Sequence, residues 1–254
     1  VSVTITGNTA CERNETLVFG IQNTSGGCEA NAGIIDTFAL HLNDDESGTE
    51  LMFNENWEDN DLAGWENTTQ WETVNSIATI SGDYDLRQTQ TIAANDYISH
   101  TLNSTELRGA ETTWNFNLKF GGTETSSNNW VMAVISGSES DAFSATLDGY
   151  AVGVNFGTAT DNLRLVRIDN GVYTDVITSA YDWSTNIVLG IEVTRDEDGN
   201  WELLYEEDGA GLIAAGTALE ATYLIADYFS YAAIVTVGNV NKARIDDIKV
   251  EQYG

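Results

Sequence analysis

Residues Trp130 to Asn170 read WVMAVISGSESDAFSATLDGYAVGVNFGTATDNLRLVRIDN. They hold three apolar runs of strand length, Trp130–Ile135, Tyr150–Phe156 and Leu163–Ile168, each too short for a globular helix. Turn signals stand between and after them at Asp148-Gly149, Gly157-Thr158 and Asn170-Gly171. Asn-Gly between apolar runs favours a tight hairpin, because both central residues of that turn need positive φ. A chain with this centre is expected to be an antiparallel β-protein, with its other segments forming flanking strands.

The rest of the chain repeats the theme. In TTWNFNLKFG, Trp114, Phe116, Leu118 and Phe120 alternate with Asn115, Asn117 and Lys119, the period of a sheet with one face in the core. Strands are also expected at SIATISG, TIAANDYISHTL, VYTDVITS, IVLGIEVTR and NWELLYEE, around Tyr223, and at YAAIVTVG and ARIDDIKVEQ, with a hairpin turn at Asp198-Gly199. AGLIAAGTALEATYLIADYF is the one helical candidate, and its glycines and β-branched residues favour a short turn over a long helix. About a dozen strands after residue 50, without a sustained helical period, predict an all-β, two-sheet antiparallel jelly-roll sandwich.

Residues 1–50 read separately, as a β segment with strands at VSVTITG, TLVFGIQN and IIDTFALHLN. Cys11 and Cys28, with sixteen residues between them, lack metal-motif neighbours. Their expected use is a disulfide worth about 3 kcal/mol in an exported protein. A chain that starts at Val1 reads as a mature or excised segment. This segment is expected to pack on the larger domain at 51–254 or to pair with a strand of another copy, because an unpaired edge is a pairing template.

Forty acidic residues against ten basic ones give a formal charge of −30. That excludes nucleic acid and anionic membranes as natural partners, since both need Lys and Arg in number. No run approaches the roughly 18 apolar residues of a membrane span. Two readings of the acidity remain, a solvated surface suited to saline water and carboxylates gathered around a hard cation such as calcium.

In order, MFNENWEDNDLAGW, ISGDYDLR, TTWNFNLKFG, SSNNWVMAVISG, LDGYAVGVNFGTATDNLRLVRIDNG, VTRDEDGNWELLYEEDG and ARIDDIKV resemble the concanavalin-A-like, laminin-G-like jelly-roll modules of secreted Bacteroidetes surface proteins. The resemblance covers about residues 51–254. It implies export, a place in a larger surface or adhesive protein, and a binding role without catalysis. Its opening and closing phrases are shared with calcium-bearing carbohydrate-binding jelly rolls, which singles out Glu58 and Asp246.

Catalytic patterns are absent from the sequence. His41 and His100 have no nucleophile motif around them, and GAGLIA lacks the crossover helix that a dinucleotide site needs. Jelly-roll glucanases carry two carboxylates on one strand in E-x-D-x-E order, and Glu202, Glu206 and Glu207 lack that spacing.

Glu55, Glu58, Asp59 and Asp61 crowd the start of the larger domain, and Asp246 and Asp247 lie at its last strand. First and last strands of a jelly roll are often neighbours, so Glu58, Asp59, Asp61, Asp246 and Asp247 are the candidate ligands of a structural Ca2+. The bland alternative is an acidic loop and a strand edge. For a sugar, Trp65, Trp71 and Trp183 stand in polar, turn-like contexts suited to stacking, and Asn129, Asp161 and Arg164 to hydrogen bonding, with Asn128 and Asn162 beside them. Trp114 and Trp201 alternate as core residues. The expected function is a lectin-like adhesion module for a glycan or cell-surface polymer. The alternative is a subunit of an extracellular filament that pairs with copies of itself through N-terminal strands.

Overall fold

The computed structural model describes residues 15–20, 37–42, 49–107, 110–122, 124–158 and 160–253. The chain divides into two units, Val1–Glu50 with Tyr253–Gly254, and Leu51–Gln252. In the first, β1 (Glu15–Gly20) and β2 (Thr37–Leu42) pair antiparallel. Both overlap runs expected to be strands; VSVTITG, Cys11 and Cys28 lie outside the described residues.

The second unit is a sandwich of two antiparallel sheets. The strands are β3 (Thr49–Glu55), β4 (Trp71–Val74), β5 (Asp85–Gln88), β6 (Ala94–Glu106), β7 (Glu111–Phe120), β8 (Trp130–Gly137), β9 (Gly149–Val154) and β10 (Asn162–Asp169). They continue with β11 (Val172–Asp182), β12 (Leu189–Arg195), β13 (Asn200–Glu207), β14 (Ile213–Leu219), β15 (Ile225–Val235) and β16 (Ala243–Tyr253). One sheet has six strands in the order β11, β10, β9, β8, β15, β6. The other has eight, in the order β14, β13, β12, β7, β16, β5, β4, with β3 also paired to β16. First and last strands of the larger domain are therefore neighbours. Among the described residues no helix is long and apolar enough to cross a membrane.

Turn chemistry sets the hairpins. Asn170 (φ 48°) and Gly171 (φ 72°) join β10 to β11, and Gly199 (φ 86°) closes the β12–β13 turn after Asp198.

The sheets meet over a core that runs from Trp114, Phe116, Leu118 and Phe120 on β7 to Val131, Ala133 and Ile135 on β8 and Tyr150, Val152 and Val154 on β9. Trp114 stacks on Trp201 with ring centroids 5.7 Å apart, as the alternation predicts for core residues. Burying each such ring contributes about 3 kcal/mol or more relative to exposure.

A second cluster explains the continuous apolar text of the central stretch. Trp130, Met132 and Val134 point away from the inter-sheet core, join Ala151, Val166 and Ile168, and are roofed by Ala142 and Leu147 of the β8–β9 loop. All of β8 is therefore buried, and its apolar text runs unbroken from Trp130 to Ile135 instead of alternating.

Two expectations fail. SIATISG is a run of bends, with Ile77 fully exposed, because no strand pairs with it. AGLIAAGTALE makes β14, an edge strand registered on β13 from Asn200↔Leu219 to Tyr205↔Ile213, so sheet pairing overrides its local helical preference.

Candidate functional site

The outward face of the eight-stranded sheet is polar. Its cross-strand rows are Thr113, Thr194, Glu202 and Thr217; then Asn115, Glu192 and Leu204; then Asn117, Gly190 and Glu206. Burial, reinforced by the Glu202 carboxylate, pushes the pKa of Glu192 up.

The third row forms a hollow. A cavity of about 330 Å³ is lined by Asn117, Gly190 and Glu206, with Ile80, Val188 and Asp208 as walls. Gly190 is its floor: a Cβ there would lie 2.6 Å from Cγ of Glu206, 2.9 Å from its Oε1 and 3.0 Å from Oδ1 of Asn117. The missing side chain lets two oxygen acceptors lean over one spot on the sheet. Glu206 is steadied by accepting a bond from the Gly211 amide at 3.1 Å, and Asp208 accepts one from Val188 at 3.0 Å. Asn117 turns its amide nitrogen the other way and donates to Asp247 at 3.0 Å.

That bond links the hollow to three of the acidic residues singled out in the sequence. On β16, Ile245 and Ile248 both enter the core although an odd number of steps separates them, and Asp247 has φ 51°. The extra residue is a bulge that turns Asp246 and Asp247 to the same side. Ser81 lies between them, its Oγ 3.1 Å from Asp246 and 2.7 Å from Asp247, while its amide donates to Asp246 at 3.2 Å. Burial, then the neighbouring Asp247, push Asp246 up to about 7.

Glu58 grips the other end of the same loop, accepting from the amides of Asp83 at 2.9 Å and Tyr84 at 3.2 Å. Gly82 (φ 50°) permits this, since a Cβ there would fall 2.0 Å from the Glu58 carboxylate. Below it, buried Asp85 is paired with Arg244 at 2.9 Å, and burial raises its pKa even against that cation.

Asp59 and Asp61 stand apart from this arrangement. Each caps its own loop, Asp59 accepting from the Asp61 amide and Asp61 from the Ala63 amide. Glu55 accepts from the Trp57 amide and the Trp65 indole. Among the described residues no three acidic or imidazole side chains converge on one point.

The expected tryptophan platforms are not exposed. Trp65, Trp71 and Trp183 are 7%, 4% and 2% accessible, and their indole N–H groups donate to Glu55, to the Tyr97 carbonyl and to the Ile187 carbonyl. A polar neighbourhood in sequence does not say which way a ring faces, and these rings fill the sandwich rim.

Asn129, Asp161 and Arg164 are likewise spent inside. Asn129 accepts from the amide and hydroxyl of Thr236 at 2.7 and 2.8 Å. Asp161 accepts from Asn155 and Thr125. Arg164, 7% exposed, donates to the Asn155 carbonyl, to the hydroxyls of Thr158 and Thr160, and to Asp175. Asp161 and Arg164 hold the β9–β10 loop, where Asn155, Phe156 and Gly157 all have positive φ. Asn162 donates to the Tyr181 carbonyl. The hollow around Gly190 had one sequence signal, the outward alternation of Asn115 and Asn117.

No family model matches the chain, and no curated protein does. Solved structures do match. The exoplasmic/lumenal domain of VIP36 in its Ca2+/Man3GlcNAc-bound form is 11% identical with a TM-score of 0.56, over 80% of this chain and 89% of that one. The globular domain of T. cruzi calreticulin is 10% identical with a TM-score of 0.56, over 79% and 88%. Peanut lectin is 10% identical with a TM-score of 0.53, over 82% and 97%. At such identities the likeness is one of architecture, and the larger unit of this chain has the two-sheet, concanavalin-like sandwich of the legume-lectin-like folds.

Proposed function

We propose that this protein is a non-catalytic extracellular module that binds a glycan in the hollow over Gly190, and so attaches its bearer to a polysaccharide or glycoprotein. The observation that carries this reading is the pair of acceptors, Asn117 Oδ1 and Glu206 Oε1, leaning over a residue with no side chain. Sugar hydroxyls donate to such acceptors, while Ile80 and Val188 offer apolar walls for ring carbons. The fold supports the reading by analogy only, since folds host many functions.

A calcium ion belongs to the same reading. Asp246 and Asp247 are the side chains that would hold it, because two carboxylates facing one hydroxyl favour a proton or a cation between them. Glu58 has its Oε1 committed to backbone amides and would act by fixing the loop. The other oxygens would come from backbone carbonyls and water.

The test is a glycan array followed by titration of the best hit against Gly190→Ala, Asn117→Ala and Glu206→Gln. Expected is a loss of at least about tenfold in affinity in variants that still unfold cooperatively well above the assay temperature, since hydrogen bonds to a charged group are worth about 1.5–3 kcal/mol. Full binding by all three variants would place the site elsewhere. Turnover of the bound polysaccharide would overturn the non-catalytic reading.

One observation favours a second reading, a filament subunit that assembles through its N-terminal strands. Among the described residues β1 and β2 pair only with each other, and a two-stranded sheet is marginal alone.

A further inference from the structure

The strand β14, IAAGTAL, ends the eight-stranded sheet and carries no charge, in a chain with fifty charged side chains. The other edges are blunted. β11 carries Asp175 and Asp182, β4 is four residues long with Glu72, and β6 carries Asp96 and is distorted at Asn103 and Ser104, both with positive φ. Charges, shortness and bulges are how sheets stop edge pairing; β14 has no charge and runs for seven residues, and its one irregularity is the extra residue Ala215 in its pairing with β13. Its ends expose Ile213 (53%) and Leu219 (73%).

Both faces beside this edge are hollow and acidic. On the outward face a cavity of about 510 Å³ is lined by Glu111, Asp196 and Glu202, with Thr217 and Leu219 of β14. On the core-facing side a cavity of about 520 Å³ holds Asp182 and Glu207 beside Ile213 and the rings of Tyr181 and Tyr205, stacked 4.1 Å apart. Among the described residues no Lys or Arg forms an ion pair with Glu111, Asp182, Glu202 or Glu207.

We propose that β14 is the docking edge for an extended polypeptide strand bearing lysine or arginine side chains. A strand laid along it would gain main-chain hydrogen bonds, and side chains on its two faces would reach one acidic cavity at the 217–219 end and the other at the 213–215 end. Long basic side chains match both. An acidic strand, or a second copy of a chain with net charge −30, would set carboxylate against carboxylate.

The experiment titrates a fluorescein-labelled acetylated peptide, TKKVTKKVT, into the full chain. Its lysines fall on both faces of a strand. Controls carry proline for the central threonine, which removes a ladder donor, or glutamate for every lysine. Expected are saturable binding by anisotropy, slowed amide exchange confined to residues 213–219, and a loss of at least about tenfold with either control peptide and with the double variant Asp182→Asn, Glu202→Gln. Equal binding of the lysine and proline peptides would overturn strand addition. Equal binding of the lysine and glutamate peptides would overturn the charge argument. Concentration-dependent protection of 213–219 without any peptide would make a second copy the occupant and overturn the proposal.

Discussion

The centre of the six-stranded sheet, β8 and β9, is covered on both faces, by the inter-sheet core and by the β8–β9 loop, whereas the eight-stranded sheet is covered on one face and leaves a row of glutamates and asparagines to solvent. The difference can be read in the strands themselves. β8 and β9 are buried at every position, while β13 alternates between buried Trp201 and Leu203 and exposed or half-exposed Glu202 and Leu204. A sheet buried twice is a scaffold, with little polar surface left for recognition. The half-covered sheet keeps acceptors such as Asn117 and Glu206 at the surface, and it also carries the uncharged edge at β14.

The comparison can be broken by changing one charge on each sheet. Met132→Asp puts a carboxylate among the apolar side chains of the second cluster; the expected loss is about 4 kcal/mol or more, enough to unfold the larger unit. Glu192→Gln on the open face is expected to change stability by no more than about 0.5 kcal/mol. Urea unfolding of both variants checks this, and similar losses would show that the open face is buried in solution.

A smaller effect tests the polar layer between β5 and β16. Asp85→Ala leaves Arg244 buried without its partner and is expected to cost about 3–5 kcal/mol, whereas a second change, Arg244→Met, restores much of that loss. Double-mutant unfolding curves measure the recovery. An Asp85→Ala protein as stable as the parent would mean that solvent reaches Arg244.

The smallest effect is a slope with pH. Asp246 holds its proton up to about 7 in the folded protein, against an ordinary carboxylate value near 4. Between those limits the folded state binds the extra proton, so this group stabilises at low pH and its contribution is lost as pH rises toward 7. In excess chelator, stability is expected to fall over that window by on the order of 1–3 kcal/mol, and Asp246→Asn is expected to flatten it. Added calcium should restore stability at pH 7.5 by binding the folded state alone. A flat profile in chelator would remove the case for a strained carboxylate pair, and an unchanged melting curve with calcium would remove the cation.

Strand existence was legible because it depends on short-range pattern: alternation in β7, continuous apolar text in β8, and Asn170-Gly171 at a two-residue turn. The candidate site was legible only in part. Glu58, Asp246 and Asp247 could be named from phrases at the two ends of the domain, and pairing of β3 with β16 brings those ends together. Asp59 and Asp61 were drawn in by proximity in sequence, which in a loop counts for little once each caps its own turn.

By itself the sequence determined the fold class, most strands, the hairpin turns and the acidity, since each is written in spacing and composition. Tertiary structure alone decided which way Trp65, Trp71 and Trp183 face, that Arg164 is consumed inside a loop, that Gly190 lies between Asn117 and Glu206, and that β14 is left at an edge. The physical reason is that a side chain's period fixes a face of its own strand, but what covers that face is set by residues tens of positions away, as Gly190 opposite Asn117 and Ser81 beside Asp246 show.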